Sequence, residues 1–232
     1  MQSLNIAQKI AIWAIPVIFA ITLHEVAHGF VAWRLGDPTA KMVGRLSVNP
    51  IRHVDPLGTV IVPLIMLLLP GGFLFGWAKP VPIGVRNLKN PRRDMALVGA
   101  AGPIANLLMA IFWAFVVRLG YGLSTSLPTL AIPVILAGVA GVFINSILMV
   151  FNLIPLPPLD GGRVANSLLP PKWSTAYERI EPFGFLIVLL LLVSGVLNFI
   201  FYPVLDACLG FFSLFAGISP AGFINLLETL LR

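Results

Sequence analysis

The stretch IAIWAIPVIFAITLHEVAHGFVAWRL, residues 10–35, decides the fold. From Ile10 to Leu23 it carries no ionisable side chain; His24, Glu25 and His28 then follow within one helical turn, and the apolar character resumes. About 20 apolar residues suffice for a helix to cross a bilayer, so the run reads as a membrane helix with a polar insertion near its end. An ionisable group inside such a helix costs about 2.5–3.5 kcal/mol even on the insertion scale. Three together call for a compensating partner. The run passes into THEVAHGF with no small-residue cleavage pattern, which predicts a retained helix and not a removed leader.

Working outward, the rest of the chain is of the same kind. It has 232 residues, 58% hydrophobic and 10% charged, with a mean hydropathy of +0.97. Soluble domains carry about 25% charged residues. Further apolar blocks occupy roughly 57–77, 95–119, 130–153 and 183–201, with a shorter one at 202–218 interrupted by Gly210 and Gly217, and a tail at 225–232 that reads as a short surface helix. The expected fold is an all-α polytopic membrane protein of about five to six membrane segments. It forms a single membrane-embedded domain over residues 1–232, because the longest polar stretch, about 155–182, is too short for a core of its own.

The block at 57–77 departs from this pattern. Pro63, Pro70, Gly71 and Gly72 break it, and GGFLFGWA (71–78) reads as a short β-hairpin. Arg34, Lys41, Arg45 and Arg52 precede the block; Lys79, Arg86, Lys89, Arg92 and Arg93 follow it. The positive-inside rule puts both loops in the cytoplasm, so the block re-enters instead of crossing. The helix at 10–35 and the one at 130–153 then end on the same, cytoplasmic, side. The net charge of +6 is thus a topology signal, and with no basic face on a soluble domain, nucleic acid is not an expected partner. Cys208 is the single cysteine, so no disulfide staples the chain.

HEVAH at 24–28 has metal-site spacing. His24 and His28 stack on one helix face, where two imidazoles can bind one Zn²⁺, with Glu25 placed to act as general base. Helical rise puts the pair about 13 Å from Leu35, below the cytoplasmic surface. A catalytic zinc takes three protein ligands and keeps one position open. Among the remaining acids Asp160 is the best third ligand: it follows Pro155, Pro157 and Pro158, which unwind the helix, and precedes Gly161 and Gly162, which allow close approach. Taken alone, it serves equally well as a turn residue.

HEVAHG (24–29), AGPIAN (101–106) and NLIPLPPLDGGR (152–163) together resemble the site-2 protease family of intramembrane metalloproteases, in a short form without PDZ or CBS domains. The resemblance implies one Zn²⁺ per chain held by His24, His28 and Asp160. It implies Glu25 as catalytic base and a membrane-embedded β-hairpin along the substrate, with Gly72, Phe73, Phe75 and Gly76 as substrate contacts. The activity expected is hydrolysis of transmembrane protein substrates, in a bacterial or archaeal cell membrane in contact with lipid, with the active site toward the cytoplasm and a homo-oligomer allowed. A zinc transporter, another metal-binding membrane protein and a non-catalytic scaffold are the rival classes.

Four further residues carry expectations. His53 is a candidate catalytic group, as oxyanion donor or transient metal ligand, against a loop histidine bonded to Asp55. Asn106 and Asn152 are candidate substrate-binding amides, against plain helix–helix contacts. Asp206 reads as a cap of the last helix.

Overall fold

In the computed structural model, residues 4–61 and 78–231 are described. They fold as a helical bundle. Helix α1 (Ile6–Arg34) starts at a capping box: the Asn5 side chain accepts from the Gln8 amide at 2.9 Å, and Gln8 returns a bond to the Asn5 amide at 3.0 Å. Helices α2 (Pro91–Leu123) and α3 (Pro128–Asn152) each open on a proline, where a missing N–H costs nothing. Then come α4 (Asp160–Leu168), α5 (Pro171–Glu178), α6 (Glu181–Val193), α7 (Asn198–Ala216) and α8 (Pro220–Leu231). Single turns at Thr39–Met42, Pro50–His53, Pro56–Ile61 and Val85–Asn87 fill the connections. Among the described residues there are no strands, and four helices (α1, α2, α3 and α7) are long and apolar enough to cross a membrane.

The centre is the α2–α3 pair, with α1 and α7 packed on both and α4 against α2. Glycines bring the two central backbones together. A Cβ at Gly141 would fall into the Trp113 indole, and one at Gly138 would lie 2.9 Å from the Val117 amide nitrogen. Close approach on small residues is how membrane helices gain contact without a hydrophobic drive between them. The outward residues Ile15, Phe19, Leu108, Phe112 and Phe115 are exposed, a surface suited to acyl chains.

Two expectations are corrected. The helical break near the C-terminus falls at 194–197, not at 201/202: Gly195 takes the left-handed conformation (φ +75°) and ends α6, while Pro203 sits inside α7 without breaking it. Asp206 is therefore no cap; it lies in the middle of α7, exposed. The tail belongs to a longer helix, α8, which exposes Asn225, Glu228 and Leu231 and buries Phe223, Leu227 and Leu230 in the core.

Lys89 donates its amide to the Leu35 carbonyl at 3.3 Å, so the end of α1 and the start of α2 lie together. The two basic loops accordingly share one end of the bundle, as their charge predicted. The block at 57–77 is described only to Ile61, and the expected hairpin, with Gly72, Phe73, Phe75 and Gly76, lies outside the described residues.

Candidate metal centre

His24 and His28 point from α1 toward Gly102 of α2. A Cβ on Gly102 would touch the Nε2 atoms of both rings; only glycine leaves this space open. Asp160 arrives as the first residue of α4. Gly161 and Gly162 let the chain fold back there, since a Cβ on either would run into the backbone of residues 153–157. All three side chains are buried.

Their ligand atoms form a triangle. His24 Nε2 to His28 Nε2, His24 Nε2 to Asp160 Oδ2 and His28 Nε2 to Asp160 Oδ2 are each 3.1 Å. A tetrahedral zinc with bonds of about 2.0–2.1 Å sets its ligand atoms about 3.3–3.4 Å apart. The triangle therefore fits one such ion with shifts of a few tenths of an ångström.

The protonation pattern points the same way. His28 Nδ1 lies 2.7 Å from the Val98 carbonyl oxygen, which can only accept. His24 Nδ1 lies 2.5 Å from Asn106 Oδ1. Both rings thus carry their proton on Nδ1 and turn the Nε2 lone pair inward. Two lone pairs and a carboxylate facing one point need a cation between them. Asp160 Oδ2 has no hydrogen-bond donor of its own. Arg163, at 3.7 Å from the other oxygen, is a loose neighbour. Among the described residues, His24, His28 and Asp160 are the one cluster of metal-ligating groups.

Asn106 is fully buried, and its amide is committed to the protein: Oδ1 to His24, Nδ2 to Asn145 Oδ1 at 2.8 Å and to the Ala20 carbonyl at 3.3 Å. Asn145 passes its own amide to the Gly141 carbonyl at 2.8 Å. Asn106 therefore holds the His24 ring from behind and ties α1 to α2 and α3. Asn145 went unnoticed in the sequence, although an amide inside an apolar run was signal enough. Asn152 is half-buried and donates to Leu148 in its own helix at 3.0 Å.

Glu25 is half-buried beside the triangle, and its Oε2 accepts the Val81 amide at 2.9 Å. His53 is not part of the cluster of metal-ligating groups. It is 2% exposed, its Nε2 donates to the Ser47 carbonyl at 2.8 Å, and its Nδ1 is without a partner, so the bond to Asp55 is not made. Asp55 instead accepts the Leu57 and Gly58 amides.

Fold and site together define a helical membrane protein with a buried two-histidine, one-carboxylate metal centre. Residues 128–195 match Peptidase family M50, and the chain belongs to that family. It is 38% identical over 200 residues to the Bacillus subtilis (strain 168) protein named "Putative zinc metalloprotease YwhC", covering 83% of this chain and 85% of the relative. It is 32% identical over 183 residues to the Mycolicibacterium smegmatis "Putative zinc metalloprotease Rip2", covering 78% of this chain and 66% of that one. It is 25% identical over 207 residues to the Methanocaldococcus jannaschii "Zinc metalloprotease MJ0392", of which it spans 47%. No solved structure matches the chain.

Proposed function

We propose that this chain is a zinc metalloendopeptidase that hydrolyses peptide bonds of transmembrane protein segments within the membrane. His24, His28 and Asp160 would hold the ion and Glu25 would serve as the base. The observation that carries the reading is the inward-facing triangle of 3.1 Å edges with a carboxylate beside it. The relatives named as zinc metalloproteases supply the metal's identity.

Zinc held by these three residues would supply a Lewis acid able to polarise a carbonyl and acidify water. The protein's own groups do the rest. Glu25 takes a proton from the attacking water and returns it to the leaving nitrogen. Asn106 and Val98 keep both imidazoles in one tautomer and one orientation. Packing by α2 and α3 keeps bulk water from the buried side.

A helical substrate has its carbonyls already bonded, so it must unwind before it is cut. The basic loops at the α1–α2 end support a cytoplasmic orientation of the site, and the packing of α1, α3, α4 and α7 on α2 supports a single domain over residues 1–232. A transporter would need polar groups through the whole bilayer. Among the described residues, the buried polar groups other than Ser213 gather on α1 from Thr22 onward, the loops after it and the parts of α2–α4 that meet them.

The test is cleavage of a single-pass reporter helix co-reconstituted in liposomes. Wild type should cut it; Glu25→Gln should leave it intact while keeping zinc. Cleavage by Glu25→Gln at the wild-type rate would overturn the assignment of the base.

A further inference from the structure

The segment Lys79–Gly84, KPVPIG, crosses the end of α1 without regular secondary structure and is tied down at three points. The Lys79 amide donates to the His53 carbonyl at 2.9 Å, the Val81 amide to Glu25 Oε2 at 2.9 Å, and the Gly84 amide to Asp37 Oδ2 at 2.6 Å. Pro80 and Pro82 flank Val81. Proline has no N–H and a fixed φ, so this tripeptide offers one donor, and that donor meets Glu25. The Val81 side chain is buried over Gly29, where a Cβ would lie 3.0 Å from Val81 Cγ1. The strap therefore sits close on the helix face one turn beyond Glu25.

Asp37 holds the far end. It is fully buried and accepts from the Thr39 amide and hydroxyl, from Asn87 Nδ2 at 2.8 Å and from Gly84. One carboxylate thus joins the end of α1 to the strap. After the Lys79 contact, the strap meets Glu25 through Val81 and Asp37 through Gly84, and Pro80 and Pro82 offer no backbone donor.

We infer that Pro80-Val81-Pro82 is a positioning element for Glu25, with Asp37 as its anchor. The Val81 N–H fixes one carboxylate oxygen so that the other faces the reacting water. Asp37 sets the height of the strap on α1. The inference rests on the protease reading for its consequence, but the contact itself can be tested separately.

The experiment replaces Val81 by its α-hydroxy analogue in the full chain. This exchanges the N–H for oxygen and keeps the side chain. With ¹³C-labelled glutamate, the infrared carboxylate band of Glu25 is isolated as the difference between wild type and Glu25→Gln; Glu25 is one of four glutamates. The band should move in the ester protein. On the reporter helix, kcat should fall about tenfold or more, with KM and zinc content unchanged. Asp37→Asn should give a smaller fall of the same kind, and Asp37→Glu should restore part of it. An unmoved band, an unchanged kcat, or loss of zinc in the ester protein would each overturn the inference. If wild type itself leaves the reporter uncut, the protease reading fails instead, and the band still decides the contact.

Discussion

Gly102→Ala puts a methyl group where the metal is to be held. The added Cβ would lie 2.6 Å from His24 Nε2 and closer still to His28 Nε2. Ordinary contact requires about 3.5 Å, so both rings, or the whole of α2, must move by about an ångström. Metal–ligand distances tolerate about 0.2 Å. The rings cannot retreat freely, because Asn106 and Val98 hold them from behind. We expect at least a hundredfold loss of zinc affinity, about 2.7 kcal/mol. The assay is chelator competition on detergent-purified protein, with zinc counted by elemental analysis. Gly122→Ala is the control: it lies on the same helix, and a Cβ there meets nothing within 4 Å. It should bind zinc as wild type does. Wild-type affinity in Gly102→Ala would refute the geometry of the centre.

Asn106→Leu should weaken zinc binding about 10- to 100-fold by freeing the His24 ring; the same competition assay reads it, and unchanged affinity would remove Asn106 from the account. Gly141→Ala should lower thermal stability by about 1–3 kcal/mol, since the new methyl overpacks Trp113; an unchanged Tm in detergent would contradict the close α2–α3 seam. Asp37 gives a pH signature. Burial pushes its carboxyl pKa up, but bonds from Asn87, Thr39 and Gly84 outweigh this and hold it below the usual range. A depressed folded pKa adds stability above the unfolded value of about 4 and loses it as pH falls through the folded one. Asp37→Asn should therefore melt lower than wild type at pH 7, with the gap closing below about pH 4; a gap that stays constant with pH would count against the bonded carboxylate.

Much of this was legible in advance because the signals were local. A stretch of apolar residues names a membrane helix, and His24 with His28 at one-turn spacing names a shared face. Asp160 stood out through its prolines and glycines. What escaped depended on contacts between distant segments. Nothing near Asn106 says that it will meet His24, 82 positions away. Val81 acts through its backbone, which has no sequence signature beyond its proline neighbours. The apolar blocks were divided at 201/202, whereas the break falls at Gly195, whose positive φ no apolar pattern announces. Apolarity alone could not tell that α8 packs into the core, since a lipid-facing and a protein-facing helix share the same composition.

The most direct test of the central claim is the zinc content of the purified protein, counted per chain in wild type and in Asp160→Ala. The account predicts about one zinc in wild type and little or none retained in the variant after dialysis against a weak chelator. Wild type without zinc, or Asp160→Ala holding zinc as tightly as wild type, would contradict it.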